Sequence, residues 1–182
     1  MKLLKLEKVH QGKYLKSYEL TYENKSGREK KYEIVSRREL NDITEIGKYT
    51  SGVSIVATMG DKMLLLREFR MGVGRFIYNL CAGMIEQDES LEECISRELY
   101  EETGLHVKEI KDILPPSFSA VAISDVKTHI AFIEAEGTLS DHSSENELIE
   151  AAFYTREEVK ELLRTQEFSS RAMIAAYYFA KS

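Results

Sequence analysis

The sequence predicts an α/β fold: a three-layer α/β/α sandwich around a mixed sheet, preceded by an N-terminal β-rich arm. Three observations carry this. Stretches rich in aromatic and β-branched residues recur along the chain, bounded by turn residues. Two helical stretches open with a Ser/Thr-x-x-Glu cap, at Ser90–Glu93 and at Thr155–Glu158. The first lies between strands and the second follows the last strand, which makes helices available to both faces of one sheet.

Residues 1–48 form the arm, in which KYLKSYELTYE and KKYEIVSRRE alternate as strands around the turn signal NKSGRE. No linker follows, so the arm is expected to pack on the body, residues 49–182, or on a partner subunit. VSIVATM and KMLLLREF flank Gly60-Asp61 as a hairpin, and RFIYNLCAG reads as one further apolar strand. A helix then starts at Ser90, carries Leu91, Ile95 and Leu99 as one apolar stripe, and ends at Gly104. VKEIKDIL and THIAFIEA are strands joined by PPSFSAVAISDV, with Ile130 and Phe132 pointing inward. IEAAFYT is the last strand. REEVKELLRT and RAMIAAYYFA are helices, the second opened by Ser169 or Ser170.

At 182 residues the chain has room for one full domain and a small extra element. Net charge is −6, and residues 1–50 hold 12 Lys/Arg against 8 Asp/Glu while the rest hold 13 against 23. An acidic body argues against duplex nucleic acid, which requires a concentrated basic face. Cys81 and Cys94 make no CxxC pair or disulfide framework, and Cys94 reads as a small buried helix residue. The four histidines lack zinc-ligand spacing. No apolar run is long enough to span a membrane, and MKLLKLEKVH has no signal-peptide core, so a cytoplasmic protein without membrane association is expected.

Glu98, Glu101 and Glu102 fall on one face of the helix, where like charges cost roughly 0.2–0.5 kcal/mol per pair. A divalent cation would neutralise them, and hard carboxylate oxygens suit Mg²⁺, with Mn²⁺ as the alternative. Glu98 and Glu102 border the apolar stripe, and Arg97 is spaced to pair with Glu93 or Glu101.

From Gly83 through Glu89, Arg97-Glu98-Leu99 and Glu101-Glu102 to Gly104-Leu105, the segment resembles a complete Nudix box. The resemblance implies a Nudix-type sandwich and a hydrolase that cleaves a nucleoside diphosphate linked to a further group. It implies that Arg97 and Glu89 tie loop to helix. It also implies a metal set of the Ala82 carbonyl, Glu98, Glu101, Glu102 and Glu147, and a catalytic set of Glu145, Glu101 and Arg97.

Flanking segments resemble the ADP-ribose pyrophosphatase branch. SDHSSENELIEAAF matches its acidic loop, which implies Glu145 as general base and Glu147 as metal ligand. REFRMGVGRFIYNLCAGMIE matches its arginine-bearing strand, which implies that Arg67 and Arg70 bind substrate. That branch forms homodimers through an N-terminal β-domain, so a homodimer is expected, with Tyr14, Tyr18 or Tyr32 available to stack on a base. One departure is Val121, where the branch carries a proline; here the prolines are Pro115 and Pro116.

The expected function is therefore Mg²⁺-dependent cleavage of a small nucleoside diphosphate sugar, ADP-ribose or a relative, to a nucleoside monophosphate and a sugar phosphate. The alternatives are a non-catalytic Nudix-like nucleotide-binding or regulatory module, and an isoprenyl diphosphate isomerase of the same fold using Cys81.

Overall fold

In the computed structural model, which describes residues 1–140, 142 and 144–182, the chain forms two units. One comprises Met1–Ser51 with Pro116–Thr128, the other Gly52–Pro115 with His129–Ser182. The segment 116–128, which the sequence reading leaves within the body, thus clusters with the arm.

The first unit is an antiparallel meander of β1 (Lys2–Gln11), β2 (Lys16–Glu23) and β3 (Glu29–Ser36). Its core is Tyr18, Leu20, Ile34 and Leu40, with Leu3 and Leu6 packed against it. Leu3 and Leu6 are three residues apart, which on a regular strand would place them on opposite faces. A register shift between Leu3 and Lys5 brings both to the core side. The Tyr18 hydroxyl accepts from the Leu40 amide at 2.8 Å, so the buried phenol is satisfied. Segment 116–128 joins through the Val35 amide, which donates to the Ile123 carbonyl at 2.8 Å.

The second unit carries most of a seven-stranded mixed sheet of order β10-β5-β4-β9-β8, with β6 on β5 and β7 on β4. The strands are β4 (Thr50–Met59), β5 (Lys62–Arg70), β6 (Arg75–Asn79), β7 (Cys81–Met84), β8 (His106–Phe118), β9 (Lys127–Glu136) and β10 (Ile149–Tyr154). Strand alternation sorts its side chains into two cores. Ile55, Ala57, Leu64 and Leu66 face the helix α1 (Leu91–Thr103) through its Cys94, Ile95 and Leu99. Val56, Met63 and Leu65 face α2 (Arg156–Thr165) and α3 (Ser170–Lys181) through Val159, Ala172 and Ala176. This is the expected three-layer sandwich. Burying side chains of the size of Ile95 and Leu99 contributes about 1.5–3 kcal/mol each.

Two expectations need adjusting. RFIYNLCAG is not one strand: β6 pairs with β5, β7 pairs with β4, and the chain changes partner at Leu80. In β9 the fully buried residues are Ala131, Ile133 and Ala135, while Ile130 and Phe132 are partly buried against the opposite helices. A central strand covered on both faces has no single inward set. Among the described residues, no helix is long and apolar enough to cross a membrane.

Candidate active site

The helix α1 is fixed at both ends. Ser90 and Glu93 form the reciprocal capping box, with the Ser90 Oγ accepting from the Glu93 amide at 3.2 Å and a Glu93 oxygen accepting from the Ser90 amide at 2.9 Å. Gly104 closes the other end at φ 73°, its amide donating to the Tyr100 carbonyl. The last turn contains Glu101 and Glu102 and no basic residue. Two carboxylates there oppose the helix dipole, whose negative end lies at the C-terminus.

Arg97 meets the loop before the helix. Its Nε and Nη2 donate to the two oxygens of Glu89 at 2.7 and 3.0 Å, and Nη2 also donates to the Met84 carbonyl at 3.0 Å. Its Nη1 donates to Glu98 at 2.9 Å and to Glu101 at 3.1 Å. Glu93, the other partner its spacing allows, is engaged in the cap instead. The Arg97 guanidinium beside Glu89 holds that carboxyl down at about 2.

Glu98, Glu101 and Glu102 all line a cavity of about 640 Å³, together with Ala82, Gly83 and Arg70. Burial pushes the Glu98 carboxyl up, against the opposing pull of Arg97. Burial pushes Glu102 up to about 8, although the Cys81 thiol and the Ala82 amide, which donates at 3.1 Å, lean the other way. Among the described residues Glu102 has no ion-pair partner. Gly83 makes room for the set, because a Cβ there would stand 1.7 Å from the Glu98 carboxylate.

Carboxylate oxygens are the donor chemistry that suits a hard divalent cation. Among the described residues, however, no three acidic, His or Cys side chains stand together as a metal-binding group, and Arg97 engages Glu98 and Glu101. Glu102, a carboxylate that meets no cationic side chain among the described residues, lies at the unfavourable end of a helix dipole and shares the cavity with Glu98, so a positive charge in the cavity would stabilise it. The Ala82 amide is used by Glu102.

The remaining sequence-derived candidates separate. Arg70 lines the cavity and donates to Glu68 at 3.3 Å. Arg67 is not among the lining residues: it pairs with Glu150 directly across the strand pair at 2.9 Å and lies over the Phe76 ring. Residues three apart on a strand face opposite sides, which separates the two arginines. Glu147 lines the cavity, its Oε2 accepting from the Ser144 amide and hydroxyl at 3.2 and 2.9 Å. Glu145 is exposed and is not among the lining residues. Cys81 is buried in the core cluster and its thiol is pushed well up, first by burial and then by Glu102. It is 1% exposed and is not among the residues lining the cavity, which removes the support for the isomerase reading.

Sequence reasoning overlooked Glu68, which is 6% exposed and lines the cavity. The signal was present: Glu68 is in phase with Leu64 and Leu66 on a strand, so an acidic residue falls on a core-facing row.

A family model described as NUDIX domain matches residues 48–177. The ADP-sugar pyrophosphatase of Mus musculus is 28% identical over 136 residues, covering 72% of this chain and 60% of that protein. The ADP-ribose pyrophosphatase of Bacillus subtilis (strain 168) is 25% identical over 181 residues, covering 97% of this chain and 91% of that protein. The chain thus spans less than two thirds of the mouse protein. A crystal structure of an ADP compounds hydrolase superposes with a TM-score of 0.75 at 22% identity, covering 98% of this chain and 91% of the other, a likeness of fold.

Proposed function

The chain belongs to the NUDIX domain family, and from that premise we propose that it hydrolyses ADP-ribose or a related ADP-sugar to AMP and a sugar phosphate, with Mg²⁺ or Mn²⁺ as cofactor. The observation that carries this reading is the cavity whose lining gathers Glu98, Glu101, Glu102 and Arg70. The names of the mouse and Bacillus relatives support the ADP-sugar class.

In this proposal Glu98, Glu101 and Glu102 hold the cation. When bound, it neutralises charge on the diphosphate oxygens and makes water more acidic. Arg97 donates to both Glu98 and Glu101, which orients the two carboxylates and partly offsets their repulsion. Arg70 supplies a fixed positive charge to a phosphate. A water oxygen attacks one phosphorus, the bridging P–O bond breaks, and the water proton passes to a carboxylate of the acidic loop. The resemblance gives that role to Glu145, but the loop carboxylate that lines the cavity is Glu147, and the proposal places the base there. We propose further that the arm, residues 1–48, mediates a homodimer, which light scattering of the purified chain tests.

A hydrolysis panel tests the function. ADP-ribose, ADP-glucose, GDP-mannose, UDP-glucose, NADH, diadenosine polyphosphates, nucleoside triphosphates and isopentenyl diphosphate are incubated with Mg²⁺, with Mn²⁺ and with EDTA, and products are identified by mass. AMP and a sugar phosphate from an ADP-sugar, abolished by EDTA, is the expected result. No turnover of any compound with either metal would overturn the reading and favour a binding module.

A further inference from the structure

Glu68 is a buried carboxylate on the cavity wall for which the proposed chemistry has no use. Among the described residues both of its oxygens have partners. One oxygen accepts from the Asn79 side-chain amide and the other from the Arg70 guanidinium at 3.3 Å. The Asn79 carbonyl oxygen in turn accepts from the Ser169 hydroxyl. Asn79 therefore uses one amide N–H on Glu68 and its carbonyl oxygen on Ser169, which fixes the orientation of its amide.

Ser169 is itself immobilised. It is the N-cap of α3, accepting from the Ala172 amide, and its own amide donates to the Tyr78 carbonyl at 3.0 Å. The Tyr78 amide donates to the Glu167 carbonyl at 2.8 Å, so the turn before α3 is bolted to β6 on both sides of Tyr78. The chain Ser169–Asn79–Glu68–Arg70 thus runs from a rigid helix cap to a cation that is more than half exposed at the cavity. A long side chain there would otherwise sample many rotamers.

We propose that Glu68 is a positioning residue: anchored by Asn79 and Ser169, it holds the Arg70 guanidinium in place to receive a phosphate of the substrate. This rests on the reading of the cavity as a nucleoside diphosphate site. The two available roles for Glu68 differ in sign. As a mere buried negative charge beside the cavity, it would repel a polyanion, and its neutralisation would tighten binding. As the residue that orients Arg70, its neutralisation weakens binding. The two oxygens already committed to Asn79 and Arg70 favour orientation over cation ligation.

The test is a double-mutant cycle read by ADP binding in EDTA with isothermal calorimetry, and by KM and kcat for ADP-ribose with Mg²⁺. Glu68→Gln and, separately, Asn79→Ala are each expected to weaken ADP binding and raise KM by about tenfold, the scale of one charge-assisted hydrogen bond, with kcat within about twofold. In an Arg70→Ala background Glu68→Gln should have no further effect. Asn79→Ala keeps the Glu68 charge, so it reads orientation alone and covers the case in which Glu68→Gln folds poorly. Tighter ADP binding in Glu68→Gln, an equal effect with and without Arg70, or no ADP binding by the wild type would overturn the proposal. A wild type that binds ADP but hydrolyses no ADP-sugar would sink the proposed function instead, while the binding cycle would still decide the role of Glu68.

Discussion

Gly83 and Glu98 compete for one space: a Cβ on Gly83 would lie 1.7 Å from the Glu98 carboxyl carbon and 1.7 and 2.0 Å from its oxygens. The glycine that opens the box motif thus leaves free the space that the helix carboxylate occupies. Gly83→Ala is predicted to displace Glu98 and lower kcat by at least about tenfold, the cost of misplacing a group at a reacting centre by an ångström or less. Steady-state kinetics checks this, with thermal melting to confirm that the variant folds. An unchanged kcat would mean that Glu98 can move without consequence.

Glu102 should trade stability for function. Its carboxyl is held up at about 8 against an ordinary 4.5. The folded state therefore binds the proton more tightly than the unfolded state, and metal-free stability falls as pH rises from about 4.5 through about 8. Glu102→Gln is expected to remove that decline, melting several degrees higher than wild type at pH 8 without metal and close to wild type at pH 5. The same variant should lose metal-dependent turnover. Melting curves in EDTA at the two pH values, beside an activity assay, test both halves.

The acidic loop offers two candidate bases, and its geometry ranks them differently from the sequence. Glu147 lines the cavity whereas Glu145 does not. If the loop works in the arrangement described, Glu147→Gln lowers kcat by about a hundredfold or more with little change in KM, the usual scale of general base catalysis. Glu145→Gln then stays within a few-fold of wild type. The reverse ranking, measured as kcat for each variant, would return the base to Glu145 and require the loop to turn inward.

Away from the site, Glu134 ties three segments together. It accepts from the Gly60 amide at 2.9 Å and from the Thr58 hydroxyl at 3.1 Å, and it pairs with Lys111. Lys111 first, and Gly60 next, hold its carboxyl down at about 2. A depressed carboxyl stabilises the fold fully above its ordinary value of 4.5 and loses that contribution as pH falls towards about 2. Glu134→Gln should cost about 1 kcal/mol at pH 7, with Lys111 partly solvent-screened, and almost nothing near pH 2. Urea unfolding at the two pH values measures the difference.

Much of this was legible because it depends on local rules. The capping boxes at Ser90 and Thr155, the hairpin at Gly60 and the box helix with its αL glycine are each set by a few neighbouring residues. What escaped depends on register and partner. β1 was not singled out because a register shift breaks the period-two pattern of Leu3 and Leu6. The division of RFIYNLCAG at Leu80 reflects a change of neighbouring strand, which no local pattern encodes. The separation of Arg67 from Arg70 was readable from their spacing of three once KMLLLREFR is taken as a strand. The partners of Glu68 were not, since Asn79 and Ser169 reach it only through the fold.

The measurement that tests the central claim most directly is the initial rate of AMP release from ADP-ribose by the wild type and by Glu98→Gln, with Mg²⁺ and with EDTA. The account predicts turnover by the wild type with Mg²⁺, none in EDTA, and a loss of at least about a hundredfold in the variant. Turnover that persists in EDTA, or a Glu98→Gln enzyme as fast as wild type, would contradict it.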